Sequence, residues 1–336
     1  MSHLVYRKLS KIVTVLGVAA AVAATLALGA CGNGDASAGG DSGGERKLII
    51  FAMPFPCNLN DYAKLTCEGA ELAGKNLPPG YELQIKTERD YTDAPAFNAL
   101  LQNSLQLSPA GFVVFANGPA AQTPILNQAC DKGVKVIFYD TKGNDVKCEM
   151  SHVTPNHTEL GEKAAQWLID HPPAGGGKEV AIVSQQPGQF ESNDARVKGF
   201  TDAVEAGGYK VVAVVASTNE LDETRTKITN VVTAHPNLAA IFSANGPLGQ
   251  GTHQALKDND DVVQLTTDGN VSDIPSILEG TVGVNVAQAP YIGGRLAVEF
   301  MVKVLEGKDI PKVHYTPTLA VDKSNAQAFI DKGGLK

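Results

Sequence analysis

Two carboxylates, one guanidinium and a series of carboxamides recur in this chain just past short apolar runs. Phe55 and Asn58 follow the first such run, and Asn117, Asp140 and Asn156 follow later ones. Residues 185–190, ending in Phe190, precede Arg196, and Asn245, Asp268 and Gln288 complete the series. A sugar or polyol hydroxyl both donates and accepts, so carboxylate acceptors beside amide and guanidinium donors suit it. Phe55 and Phe190 add aromatic faces of the kind that cover the C–H side of a sugar ring. Asn and Asp in such places also cap the helix that follows, and for each residue taken singly both uses stay open. No Gly-x-Ser-x-Gly, Ser-x-x-Lys or His-Glu-x-x-His pattern accompanies them, so the set reads as binding chemistry and the chain is not expected to be an enzyme.

The apolar runs are the elements that must position these groups. Strands are predicted at 47–53, 81–87, 111–116, 134–139, 179–184, 210–216, 239–243, 262–266 and 282–287. Helical periodicity falls between them, near 60–76, 94–107, 120–132, 158–170, 193–206, 221–234, 247–257, 272–279 and 291–306. Strands that read as continuous apolar runs are buried on both faces, which predicts parallel sheets with helices on either side, the α/β doubly wound class. The alternation divides near residue 155 into two comparable halves. Two open parallel sheets whose strand ends face one another form a cleft there.

Upstream, Arg7, Lys8 and Lys11 precede an uncharged stretch from residue 12 to 28, the build of an export signal. Leu28-Gly29-Ala30-Cys31 resembles the lipobox of bacterial lipoproteins, which implies cleavage before Cys31 and acylation of its thiol. Residues 1–30 are then a signal peptide and 31–46 a flexible tether rich in Gly, Ala and Ser. Losing 1–30 removes three basic and no acidic side chains from a chain of net charge −8, leaving −11. So acidic a body argues against nucleic acid as a partner. Cys57, Cys67, Cys130 and Cys148 remain, and an even number in an exported chain suggests two disulfides among three connectivities. The pairs Cys57–Cys67 and Cys130–Cys148 are favoured because each staples a loop to the helix beside it. Their spacing lacks the short paired intervals of a zinc knuckle, so no metal and no cofactor is expected.

Five segments, in order, resemble type I periplasmic sugar-binding proteins, the ribose-binding-like family, over about residues 47–320. They are 135–140 (KVIFYD), 193–200 (NDARVKGF), 233–236 (TAHP) followed by 240–245 (AIFSAN), 262–269 (VVQLTTDG) and 286–290 (VAQAP). The resemblance implies two doubly wound lobes joined by a three-strand hinge, crossing near 153–156, 286–290 and 313–318. One lobe then comprises 47–155 plus 289–315 and the other 156–288 plus 316–336. It implies ligand contacts from Asp140, Arg196, Asn245, Asp268 and Gln288, with Arg196 shielding the two carboxylates from each other. Phe55, Asn58, Asn117, Asn156, Phe190 and Asn219 join that set, and His157 stands where some relatives carry a ligand asparagine. Thr141 replaces an arginine common in the family, and Thr267 an aromatic. A linear polyol, a modified sugar or a less polar ligand therefore stays open beside an aldopentose. The implied function is a lipid-anchored, extracytoplasmic solute-binding protein, monomeric, that delivers a sugar or polyol to the permease of an ABC importer. The alternatives are a ligand-sensing module for a membrane receptor or kinase, and a binding protein for a less polar metabolite.

Overall fold

The computed structural model describes residues 46–336. The export signal, Cys31 and all but the last residue of the tether lie outside the described residues. The first half runs β1 (Lys47–Met53), α1 (Asp61–Lys75), β2 (Tyr81–Thr87), α2 (Ala94–Leu105), β3 (Gly111–Val114), α3 (Pro119–Asp131), β4 (Lys135–Tyr139) and β5 (Glu149–Pro155). The second runs α4 (His157–Asp170), β6 (Glu179–Ser184), α5 (Glu191–Ala206), β7 (Lys210–Ala216), α6 (Leu221–Ala234), β8 (Leu238–Ser243), α7 (Gly246–Ala255), β9 (Val263–Asp268), α8 (Pro275–Glu279) and β10 (Val282–Ala287). The chain ends with α9 (Pro290–Leu305), β11 (Val313–Thr316), β12 (Leu319–Val321) and α10 (Ala326–Asp331).

These strands make two six-stranded sheets, ordered β11-β5-β4-β3-β1-β2 and β12-β10-β9-β8-β6-β7. Within β1, Ile49, Phe51 and Met53 pack on one face with residues of α1 and α9, while Ile50 and Ala52 pack on the other with residues of α2 and α3. Strand β6 divides likewise, Val180 and Ile182 toward α4 and α5, Ala181 and Val183 toward α6 and α7. Alternate residues of one strand thus feed two cores, which is why the runs read as unbroken apolar stretches.

Every ladder is parallel except β10–β12, which is antiparallel. The chain passes from the end of β11 in one sheet to β12 in the other within two residues, too short for the return crossover that a parallel pair needs. Strands β5 and β11 were not predicted, whereas β12 falls within the added strand that the final crossover was expected to leave at 318–321. In β5, Ser151, His152 and Thr154 interrupt the apolar pattern, and their polar atoms are satisfied inside the fold: Ser151 donates to Pro311 O at 2.7 Å, and His152 Nε2 lies 2.6 Å from Asp140 O. Both favoured disulfides are present, Cys57–Cys67 and Cys130–Cys148.

Candidate functional site

The carboxyl ends of both sheets open onto one cleft of about 890 Å3. Three of its lining residues, Asp140, Asn219 and Asp268, have left-handed backbones, with φ of 58°, 73° and 87°. For residues other than glycine this conformation is uncommon and clusters at functional sites. Here it turns each side chain out of the strand direction and into the cleft.

On the wall built by the second sheet, Arg196 is the organising group. Helices α4 and α5 touch backbone to backbone: a Cβ on Gly161 would lie 2.1 Å from Arg196 O, and one on Gly199 2.1 Å from Thr158 O. This close approach seats Arg196, 4% exposed, beneath the strand ends. Its Nη1 donates to Ala244 O at 2.8 Å, Thr267 Oγ1 at 3.2 Å and Asp268 Oδ1 at 2.9 Å. Asp268 also accepts from Gly246 N at the start of α7, at 2.8 Å, and from Gln288 Nε2 at 2.6 Å. Gln288 Oε1 is buried without a partner, a state that costs about 1–3 kcal/mol until a donor arrives. Asn245 both caps α7, accepting from Leu248 N at 3.0 Å, and donates to Asn219 Oδ1 at 3.2 Å. Capping a helix and lining the cleft therefore coexist in one side chain.

The wall built by the first sheet sets a group of aromatic rings around Asp140. Phe55 packs edge-on against Tyr62 and Phe115. Asp140 accepts from Tyr62 Oη at 2.6 Å and from Thr141 Oγ1 at 3.2 Å, with His157 Nε2 3.5 Å away. Burial pushes its carboxyl up, but His157, Arg196 behind it and the Tyr62 hydroxyl more than offset this and hold the pKa at about 2. Burial, then the Asp140 charge, raises Tyr62 well above the usual phenol range. Burial likewise brings His152 down to about 4, against the opposing pull of the Asp140 carbonyl it contacts.

Eight of the twelve candidate binding residues line the cleft: Phe55, Asp140, Phe190, Arg196, Asn219, Asn245, Asp268 and Gln288. Four do not. Asn58 is exposed at the tip of a turn closed by Leu59 N to Pro56 O, and Asn60 lines the cleft instead. Asn117 is buried, with Nδ2 donating to Tyr91 O at 2.6 Å and Oδ1 accepting from Gln122. Asn156 caps α4 by accepting from Glu159 N. His157 sits behind the lining, where its Nδ1 accepts from Arg196 Nε at 3.2 Å. Arg196 therefore hydrogen-bonds Asp268 directly, while toward Asp140 it acts through its charge, with His157 standing between them.

Tyr62, Tyr91 and Asn193 also line the cleft and were not predicted. Tyr62 lies in the first turn of α1 and Tyr91 four residues past β2, where no periodicity marks them. Asn193 stands three residues before Arg196, and that spacing on one helix is a signal that could have found it. Tyr91 reaches across the cleft: its hydroxyl accepts from Asn219 Nδ2 at 2.8 Å and from Gln185 Nε2, and its ring stacks on Phe190. Among the described residues no group of three or more His, Cys, Asp or Glu side chains could hold a metal ion, and no helix is long and apolar enough to cross a membrane.

A family model described as periplasmic binding protein domain matches residues 51–309. The ribose import binding protein of Bacillus subtilis (strain 168) is 28% identical over 188 residues, which cover 55% of this chain and 59% of that protein. The D-allose-binding periplasmic protein of Escherichia coli (strain K12) is 29% identical over 232 residues, 64% of this chain and 73% of that protein. Among solved structures, an ABC transporter solute-binding protein from Agrobacterium vitis with bound α-D-tagatopyranose superposes with a TM-score of 0.78. It is 19% identical, covering 86% of this chain and 99% of the other.

Proposed function

The chain belongs to the periplasmic binding protein domain family, and on that footing we propose that it captures a small polyhydroxylated solute, a sugar or cyclitol, outside the cytoplasm for an ABC importer. The observation that carries the reading is the buried Arg196–Asp268 pair with Gln288 beside it, on the floor of a cleft between two sheets. Asp268 has lone pairs left for a ligand hydroxyl, Gln288 Oε1 wants a donor, and Asn193, Asn219 and Asn245 offer further amides. Phe55 and Phe190 take the C–H faces of the ring. Charge-assisted bonds contribute about 1.5–3 kcal/mol each, so a few of them with ring burial reach the roughly −8 kcal/mol of a micromolar site.

Residues 47–155 plus 289–315 and residues 156–288 plus 316–336 move as the two bodies, closing on the solute about their three crossovers. The solute is released unchanged to the permease. The lipobox-like segment ending in Cys31 supports a lipid anchor for a single working chain, with residues 31–46 as its tether. Thermal-shift measurements over a panel of pentoses, hexoses and cyclitols test the reading: at least one raises Tm in a saturable way and is recovered chemically intact. If none does while an apolar metabolite does, the polyhydroxylated-solute reading fails.

A further inference from the structure

We propose that Tyr91 limits how far a ligand can extend, by bridging the lobes at the flank of the cleft farthest from the crossovers; the inference rests on the solute-binding reading above. The crossovers leave from β5, β10 and β11, which lie at or beside one edge of each sheet, with β12 on the receiving side. Strands β2 and β7 are the opposite edges. Tyr91 stands in the loop after β2, and the groups it meets come from the loops after β6 and β7. Rotation about the crossovers displaces this flank most, because displacement grows with distance from the axis. A contact made here therefore biases closure more than the same contact made near the hinge.

Tyr91 is held from three sides. Asn117 Nδ2 fixes its backbone carbonyl at 2.6 Å, and Gln122 fixes Asn117 in turn. The ring lies on Phe190 with centroids 5.5 Å apart and planes 27° from parallel. The hydroxyl accepts from two amides of the facing lobe, and among the described residues nothing accepts its own proton. Burial pushes its pKa up to about 12, so at neutral pH that proton stays available to a ligand oxygen. Tyr91 and Arg196 line the same cleft, Tyr91 on the flank of β2 and β7. A substituent projecting toward β2 and β7 must displace Tyr91 from Gln185, Asn219 and Phe190 together.

The test compares the wild type with Tyr91→Phe, which keeps the ring, and Tyr91→Ala. Without ligand, small-angle scattering gives a larger radius of gyration for Tyr91→Ala than for the wild type, with Tyr91→Phe between them. Equal radii in all three overturn the bridge and with it the length limit. Calorimetry then uses D-ribose, D-allose and D-arabinose, each beside its α- and β-methyl glycosides. The wild type prefers a free sugar over at least one of its glycosides, Tyr91→Ala shrinks that preference about ten-fold, and Tyr91→Phe weakens the free sugar by up to about ten-fold. Glycosides that bind the wild type as tightly as free sugars, or a preference that survives in Tyr91→Ala, overturn the proposal. If no free sugar binds the wild type, these probes count against the solute reading, and the ligand-free radii still decide the bridge.

Discussion

The two walls of the cleft are held in place by different means. The wall of the first sheet carries rings, Phe55, Tyr62 and Phe115, and its half of the molecule contains both disulfides. The wall of the second sheet carries amides and the Arg196–Asp268 pair, and no cysteine occurs after Cys148. Rings packed edge-on have broad, shallow preferences in angle, and the Cys57–Cys67 staple beside Phe55, closing a loop that contains Tyr62, adds rigidity there. A buried ion pair with several directed hydrogen bonds is already rigid. The carboxylates differ in the same sense. Asp140 accepts from the hydroxyls of Tyr62 and Thr141, whereas Asp268 accepts from the Arg196 guanidinium, the Gln288 amide and Gly246 N.

The largest effect expected from this contrast is at Arg196. Arg196→Ala leaves Asp268, part-buried in the cleft wall, without its cation, which costs about 3 kcal/mol of stability, the lower end for breaking a buried pair. It also removes any ligand-induced Tm shift; a variant that binds normally would break the assignment of the polar wall as the binding wall. Next come the staples. Cys130→Ser with Cys148→Ser costs about 2–4 kcal/mol, and hydrogen exchange should accelerate in α3 and β4 while β6 and β8 keep their protection. Equal loss in both halves would mean that the lobes are not independent in rigidity.

Acid is the third probe, and it acts on the first half. Asp140 titrates at about 2 in the folded chain against about 3.9 unfolded. Its contribution is therefore full above about pH 4 and lost as pH falls through 2. His152 sits at about 4 against about 6.5 unfolded, so the unfolded chain takes up a proton that the fold refuses, and stability falls from about pH 6.5 to 4. Each amounts to roughly 3 kcal/mol. Denaturant titrations across pH 7 to 3 should show His152→Gln abolishing the upper part of that fall. The smallest effect belongs to Asn58→Ala: at an exposed turn tip it changes stability by less than about 0.5 kcal/mol, and ligand affinity stays put. A ten-fold loss of affinity there would put the β1–α1 loop in the wrong place.

How much of this was legible in the sequence depended on where a residue stood. Strands buried on both faces announced themselves as apolar runs, and Asp140, Asn245, Asp268 and Gln288 could be picked out because each directly follows one. Strand β5 was hidden because its polar residues look exposed until Pro311 and the Asp140 carbonyl are seen to meet them. Tyr62 and Tyr91 were invisible for a related reason. Their positions in a helix and a long loop acquire meaning only when a distant segment faces them.

The crossover that places α9 against the first sheet also orders events in time. Ala297, Val298 and Met301 of that helix belong to the same core as Ile49, Phe51 and Ile137, and Gly69 of α1 is in backbone contact with Tyr291. Synthesis runs from the N-terminus, so β1 and α1 exist long before their partner helix is made. The second sheet, apart from β12, comes from one uninterrupted stretch. The half that appears first is therefore the half that finishes last. The short loop closed by Cys57 and Cys67 gives its opening segment something to hold while it waits.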